Sequence, residues 1–135
     1  MKATQIMAAS ALAMFIGTSV AAAQQANPSQ TKGVTADLLT SIDLGKQGLD
    51  DYKARKMRMR KVTIAPGGVF AAHSHHNRPG MDYVLEGSLL EHRDGLPDHT
   101  YKAGDVLTED TSYSHWVENK GNVPVVLIAF DLFKE

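Results

Sequence analysis

The chain has 135 residues, 43% of them hydrophobic and 21% charged, and its formal net charge at pH 7 is −1. This nearly neutral balance argues against nucleic acid as a partner, because phosphate binding needs clustered lysine and arginine. The chain contains no cysteine, which excludes disulfides, thiolate metal ligands and a cysteine nucleophile.

The first segment has the layout of a secretory signal peptide. Met1-Lys2 supplies one early positive charge, residues 6–20 are uncharged and mostly apolar, and Ala21-Ala22-Ala23 precedes two glutamines. A basic start, an apolar middle and an A-x-A exit are the features that a signal peptidase requires. The apolar run is shorter than the roughly 20 residues of a spanning helix. We therefore expect residues 1–23 to be removed, leaving a periplasmic or secreted protein without a membrane attachment; a retained anchor is the alternative.

Residues 24–50 are predicted to be a lead-in and an edge segment of the fold. The stretch 24–32 is polar and contains a proline, which predicts a flexible lead-in. The next stretch, Thr35 to Leu44, is compatible with a short helix and with an edge strand, and the pattern does not choose between them. The dense basic run from Lys53 to Lys61 is interpreted as the solvated face of a strand.

Residues 51–135 are predicted to form a single all-β domain. Short runs of strand-forming residues recur between glycine and proline turns, which is typical of a sandwich or a barrel. Pro66-Gly67-Gly68 is predicted to end the first of these strands. The predicted strands are Met57–Ile64, Val69–His75, Met81–Glu86, Ser88–Arg93, His99–Lys102, Val106–Glu109, Ser114–Glu118 and Val123–Leu132.

Histidines provide the strongest indication of chemistry. All six lie from His73 onward. His73 and His75 are two residues apart, which on a strand places both imidazoles on one face. Two imidazoles on one face can supply half of the ligands of a metal site. His76 follows directly and is predicted to point to the opposite face.

The surroundings of this pair resemble the first conserved motif of the cupin superfamily, G(X)5HXH(X)3–4E(X)6G. Gly67 is followed after five residues by His73 and His75, and Gly87 closes the motif at the expected distance. Position 80, where the family usually has a glutamate ligand, is glycine. The resemblance predicts that restoring a glutamate at Gly80 would tighten metal binding.

A second stretch resembles the second cupin motif, G(X)5PXG(X)2H(X)3N. Gly104, His115 and Asn119 match this motif, whereas Asp110 and Ser112 replace its proline and second glycine. The two motifs occur in the family order and cover most of the predicted domain. The chain is therefore identified, by resemblance, as a small single-domain cupin.

This resemblance implies a double-stranded β-helix, also called a jelly-roll barrel, with a metal site near one mouth. The implied ligands are His73, His75 and His115, and the cofactor is a divalent transition metal (Fe, Mn, Ni, Cu or Zn). Asp82 would share the inward face of its strand with position 80 and could supply the missing carboxylate. Arg78 could hold an anionic substrate. The other candidate pocket residues are Tyr83, Tyr113 and Trp116.

The implied function is metal-dependent oxidation of a small organic substrate, by a dioxygenase like those acting on flavonols or diketones. Two alternatives stay open: a metal-dependent isomerase or hydrolase, and a non-catalytic periplasmic protein that binds a metal or a small molecule. The fold alone does not separate them, because one barrel hosts many chemistries. We also expect a homodimer, because the apolar segment from Ala36 to Leu44 needs to be covered.

Overall fold

A computed structural model describes residues 26–112 and 114–134. The predicted signal peptide and Tyr113 lie outside these residues. Within them, no helix is both long enough and apolar enough to cross a membrane. Two short 3₁₀ helices, Leu44–Gln47 and Asp50–Tyr52, follow the first strand. The strands are β1 (Lys32–Asp43), β2 (Arg55–Ser74), β3 (Gly80–Glu86), β4 (Ser88–Arg93), β5 (His99–Lys102), β6 (Val106–Glu109), β7 (Ser114–Glu118) and β8 (Val125–Lys134).

The described strands form one sheet that curls into a nearly closed barrel, in the order β5-β4-β7-β2-β8-β3-β6, with β1 paired to β2. All pairings are antiparallel. Neighbours in this order are mostly distant in sequence, as expected for a jelly roll and not for a meander of hairpins. The predicted all-β class is confirmed, and so is the double-stranded β-helix.

Residues 35–44, for which a helix and an edge strand stayed open, lie mostly in β1. This strand pairs with β2 from Lys32 opposite Val69 to Asp43 opposite Lys56. Most of its side chains are exposed. Thus β1 extends the sheet at an edge and contributes little to the core.

The lead-in before β1 is hydrogen-bonded to the barrel. The Ala72 amide donates to the Pro28 carbonyl at 2.9 Å, and the Ala71 amide donates to the Thr31 hydroxyl at 3.1 Å. Both acceptors lie within the stretch 24–32, which the sequence predicted to be flexible. The lead-in therefore supports the segment of β2 that precedes His73.

The sequence predicted that Pro66-Gly67-Gly68 ends a strand, and this prediction is wrong. β2 is one strand of 20 residues that runs through it. Gly67 adopts a φ of 71°, a conformation that glycine tolerates best. Its amide donates to the Asn119 carbonyl at 2.9 Å, and the Asn119 amide donates to the Gly68 carbonyl at 3.0 Å. This position lies between the part of β2 that pairs with β8 and the part that pairs with β7.

The barrel interior has an apolar end and a polar end. Inward positions alternate along each strand, as the strand pleat requires. Arg60 and Ala129 are paired across β2 and β8, and Ile64 and Val125 are paired four residues further along. The apolar end is the hydrophobic core, and its buried members are Val62, Ile64, Val84, Leu89, Leu107, Val117, Val125, Leu127 and Ala129.

Candidate metal centre

Three histidines meet at the polar end of the barrel. The Nε2 atom of His115 lies 3.0 Å from Nε2 of His75 and 3.1 Å from Nε2 of His73. His115 lies on β7 directly opposite His73 on β2, and His75 follows the end of β2. His75 and His115 are almost fully buried. The structure therefore brings together the three histidines that the sequence predicted as metal ligands.

The other ring nitrogen of each histidine faces a hydrogen-bond acceptor. The acceptors for Nδ1 of His73, His75 and His115 are the Ala71 carbonyl at 2.8 Å, the Arg78 carbonyl at 3.1 Å and Glu91 Oε1 at 2.7 Å. An oxygen acceptor at Nδ1 favours the tautomer with its proton on Nδ1, which places the lone pair of a neutral ring on Nε2. The Nε2 atoms of His73 and His75 thus both lie against Nε2 of His115.

Burial keeps two of these rings neutral. It lowers the pKa of His73 to about 4, although a hydrogen bond to the Ala71 carbonyl opposes this effect. It also lowers the pKa of His75 to about 4, and the neighbouring His115 lowers it further. Neutral imidazole is the form that binds metal ions, so these two rings are in the ligating form at physiological pH.

A β-bulge gives His73 its inward orientation. Between Phe70 and His73, β2 advances three residues while β7 advances two, from Val117 to His115. A bulge of this kind shifts the alternation of side chains by one residue. Phe70 and His73 therefore both line the cavity, although their numbering would place them on opposite faces of a regular strand.

Glu109, at the end of β6, is the fourth member of the cluster. Its Oε2 lies 3.3 Å from His75 Nδ1, and its Oε1 lies 3.5 Å from His115 Nε2. Burial raises the pKa of Glu109 to about 8, and the nearby Asp82 carboxylate raises it further. One ligand atom from each of the four side chains lies within 4.8 Å of the others.

Gly80 leaves the space that Glu109 fills. The two residues are paired across β3 and β6. A Cβ atom at position 80 would lie 2.7 Å from Glu109 Oε2. A carboxylate from the neighbouring strand thus lies beside position 80, where the first cupin motif usually has its own.

Glu91, on β4, supports the cluster from behind. Its Oε1 accepts hydrogen bonds from His115 Nδ1 at 2.7 Å and from Arg93 Nη2 at 3.1 Å, and its Oε2 accepts from the Tyr101 hydroxyl at 3.3 Å. Burial alone would raise the pKa of Glu91, but hydrogen bonds and charges from His115 and Arg93 hold it below its ordinary value. An ionised carboxylate behind a ligating histidine is a common support in metal sites.

The donor set fits a divalent transition metal. Three imidazole nitrogens and one carboxylate suit Fe, Mn, Ni, Cu and Zn. Two imidazole nitrogens, each about 2.1 Å from one metal ion and at a right angle to each other, would lie about 3.0 Å apart. The distances from His115 Nε2 to His75 Nε2 and to His73 Nε2 are close to this value. These two separations are compatible with a shared ion.

The cavity beside this cluster is small, with about 20 Å³ of free space. Arg60, Arg78 and Asp82 are its polar walls besides the four cluster residues, and the apolar core forms its floor. Two of these three, Arg78 and Asp82, are candidates from the sequence. Burial raises the pKa of Asp82 to about 7, while the charge of Arg60 opposes the rise.

The aromatic candidates lie elsewhere. The side chain of Tyr83 is largely exposed, and Trp116 is buried against His92, with ring centroids 3.7 Å apart. Neither lines the cavity. Tyr113 is outside the described residues.

Three arginines converge on Asp131 at the rim of the cavity. Arg58 contacts both carboxylate oxygens, at 2.9 and 2.6 Å, while Arg60 and Arg78 reach Oδ2 at 3.3 and 3.1 Å. Arg58 and Arg60 belong to the basic run that was interpreted as a solvated strand face. That interpretation is wrong for these two, because their side chains are only 22% and 17% exposed and pair with the buried Asp131.

Sequence reasoning missed Glu109, Glu91 and Arg60. The available signal was the alternation of β6, where Leu107 and Glu109 are buried and their neighbours exposed. That signal marks Glu109 as inward-facing but does not reveal its partners, because β3 and β6 pair over a long sequence distance.

Residues 60–131 match a family model described as a cupin domain, which is more than half of the chain. The oxalate-binding protein of Thermotoga maritima is 34% identical over 69 residues, or 51% of this chain and 56% of that protein. A germin-like protein of Arabidopsis thaliana, subfamily 2 member 1, is 27% identical over 108 residues, or 77% and 48%. The chain spans about half the length of these curated relatives.

Solved structures show the same fold. The crystal structure of a predicted oxalate decarboxylase from Thermotoga maritima matches with a TM-score of 0.62 and 28% identity, covering 78% of this chain and 86% of that one. The cupin domain of an XRE-family transcriptional regulator from Enterobacter cloacae matches with a TM-score of 0.59, covering 77% and 100%. At 16% identity, the latter likeness concerns the fold alone.

Proposed function

This chain belongs to the cupin family, and from that premise we propose that it binds one divalent transition-metal ion and, beside it, a small carboxylate ligand. The proposed metal ligands are His73, His75, His115 and Glu109. One observation carries the proposal: Nε2 of His115 lies within 3.1 Å of Nε2 of both His73 and His75, while Nδ1 of each ring faces an oxygen acceptor.

The residues around the ligands suit an anionic guest. A divalent ion held there supplies Lewis acidity toward an oxygen donor. Arg60 and Arg78 add positive charge at the cavity wall, where guanidinium groups are suited to carboxylates. Val62, Leu107 and Leu127 line the floor and limit access of water from below.

Cavity size favours a compact ligand. About 20 Å³ of free space is only slightly more than one water molecule needs. A ligand with few heavy atoms, such as oxalate, requires little widening, whereas a flavonol requires much more. The names of two relatives, an oxalate-binding protein and a predicted oxalate decarboxylase, support the same ligand class. Dioxygenase activity toward flavonols or diketones, isomerase or hydrolase activity, and binding without turnover stay as predictions.

Export is also part of the proposal. The segment 1–23 has the features of a signal peptide, which would place the mature protein in the periplasm or outside the cell. N-terminal sequencing of the exported protein should begin at Gln24. Recovery of a chain that retains Met1 in the membrane fraction would contradict this.

Elemental analysis combined with calorimetry tests the metal and the ligand together. The purified protein should contain about one equivalent of a divalent transition metal, and His115→Ala should contain almost none. Metal-loaded protein should bind oxalate with measurable heat. Turnover is then tested by incubating the loaded protein with oxalate, measuring oxygen consumption and analysing the products. Absence of metal from the wild-type protein under metal-replete expression would refute the proposal, and metal without oxalate binding would refute its ligand class.

A further inference from the structure

Residues 27–31, directly before β1, are hydrogen-bonded to the bulge of β2 that precedes the metal centre. We call these five residues the N-terminal strap. The Ala72 amide donates to the Pro28 carbonyl at 2.9 Å, and the Ala71 amide donates to the Thr31 hydroxyl at 3.1 Å. The strap therefore contacts both residues of the bulge.

The bulge depends on the strap for its hydrogen bonds. β2 pairs with β7 at Phe70 and again at His73, and the two residues between them have no partner in that register. A bulge leaves such residues outside the ladder, so their amides need an acceptor from solvent or from elsewhere in the chain. Here the strap supplies an acceptor to each of the two amides.

One peptide group connects the strap with His73. The Ala71 carbonyl and the Ala72 amide belong to the same planar unit, and in a trans peptide they point in opposite directions. On one side the amide donates to the Pro28 carbonyl. On the other side the carbonyl lies 2.8 Å from His73 Nδ1. A rotation that breaks the contact with Pro28 would therefore also move the acceptor that orients the His73 ring.

The other end of the strap contacts the neighbourhood of His115. Asn27 Nδ2 donates to Asp94 Oδ1 at 3.2 Å. The Asp94 amide donates to the Ser114 carbonyl at 3.3 Å, and Ser114 directly precedes His115. The strap is thus connected to both strands that carry paired histidines of the metal centre.

We propose that the N-terminal strap is a positioning element of the metal centre. It holds the peptide group between Ala71 and Ala72, and through this group the His73 ring, in the orientation that binds the ion. Pro28 and Thr31 act only through His73. The inference rests on the proposed function, since it assigns His73 as a metal ligand. Because coupling between two sites is reciprocal, an ion bound at His73 also stabilises the contact between strap and bulge.

Zinc affinity, measured by competition with a chelator, tests the proposal. Thr31→Val removes the acceptor of the Ala71 amide and should weaken zinc binding about threefold, a modest effect because water competes for an exposed hydrogen bond. Thr31→Ser keeps the hydroxyl and should bind zinc like the wild-type protein. Gln30→Ala is the matched control, because Gln30 is the exposed neighbour of Thr31.

A double variant and amide hydrogen exchange extend the test. Pro28→Gly/Thr31→Val loosens both contacts and should weaken zinc binding further, toward about tenfold. Zinc should slow the exchange of the Ala71 and Ala72 amides in the wild-type protein, and less so in the double variant. Zinc affinity that is unchanged in the double variant would overturn the strap, and so would a loss that Thr31→Ser or Gln30→Ala shares.

The metal-free protein separates this inference from the proposed function. If the wild-type protein does not bind zinc, the failure lies with the metal site and not with the strap. Nitrogen NMR of the metal-free protein then decides on the strap. Thr31→Val should shift the ring-nitrogen resonances of His73, whereas Gln30→Ala should leave them in place. Resonances that are unchanged in Thr31→Val would show that the strap does not position His73.

Discussion

The carboxylate of Glu109 occupies the space that a side chain at Gly80 would fill. A Cβ atom at position 80 would lie 2.7 Å from Glu109 Oε2 and 2.9 Å from the Phe130 carbonyl oxygen. The departure of Gly80 from the usual motif is therefore matched by a carboxylate from the neighbouring strand. A glutamate at position 80 would displace Glu109, a proposed ligand, before adding its own carboxylate, so we expect Gly80→Glu to weaken metal binding, whereas the motif alone predicts that it tightens it.

Gly80→Ala should weaken metal binding about tenfold or more, because the new methyl group forces the Glu109 carboxylate away from the histidines. It should also lower the free energy of unfolding by about 1–3 kcal/mol, since the Phe130 backbone must shift. Competition with a chelator measures the affinity. In a double-mutant cycle, Gly80→Ala should add little to the affinity loss caused by Glu109→Ala. Fully additive losses would show that Gly80 acts independently of Glu109.

Glu91→Gln should reduce metal affinity about 10–100-fold, the usual effect of removing a partner behind a ligating histidine. The amide cannot supply the negative charge that stabilises the Nδ1 proton of His115. The unfolding free energy should be compared at the same time, because Glu91 also accepts from Arg93 and Tyr101. Tyr101→Phe is the control, as it removes one of these bonds and leaves the contact with His115. Unchanged metal affinity in Glu91→Gln would remove Glu91 from the site.

His75→Ala should reduce metal affinity at least about 100-fold, because it removes a ligand and not only a supporting partner. His76→Ala should leave the metal content nearly intact, since His76 is exposed beside the buried His75. Both variants can be measured by elemental analysis after identical purification. If His76→Ala loses its metal and His75→Ala retains it, the assigned orientation of the loop after β2 is incorrect.

Asp131→Asn should lower the free energy of unfolding by about 3–5 kcal/mol at neutral pH, because it leaves three guanidinium groups around an uncharged amide. Burial alone would raise the pKa of Asp131, but hydrogen bonds and charges from Arg58, Arg60 and Arg78 hold it below its ordinary value. A lowered pKa contributes stability above the unfolded-state pKa, and this stability is lost as the pH falls through the folded-state pKa. The gap between the two proteins should therefore close in acid.

Urea denaturation from neutral pH down to about pH 2.5 measures this gap, over the range in which carboxylates are protonated. Asp37→Asn is the control, because Asp37 is exposed on β1 and its replacement should have little effect at any pH. A gap that stays constant into acid would mean that Asp131 contributes through packing alone.

β1 should mediate a homodimer. Leu38, Leu39 and Ile42 are exposed there, and an exposed edge strand with apolar side chains is a surface on which a second strand can pair. Light scattering at tens of micromolar protein should give twice the monomer mass. Leu39→Lys should shift the measured mass toward that of one monomer. Leu96→Lys, at another exposed leucine outside β1, should leave the mass unchanged. A monomeric wild-type protein would contradict the prediction.

The sequence alone predicted most of the strands, because alternation of side chains and glycine-proline turns are local signals. Ser88–Arg93, His99–Lys102, Val106–Glu109 and Ser114–Glu118 have the predicted bounds. The spacing of His73 and His75 predicted that they share a face. The resemblance to the second cupin motif predicted that His115 lies beside them.

Only the tertiary structure showed which carboxylates lie beside the histidines. Glu109 reaches the histidines because β6 pairs with β3 next to Gly80, and Glu91 reaches His115 because β4 pairs with β7. Both pairings join residues distant in sequence, and no local pattern sets their register. No local pattern predicts the bulge before His73 either. Its position matters because a shift of one residue exchanges the two faces of a strand. Residue periodicity thus determined which side chains could face inward, and strand pairing determined which of them meet.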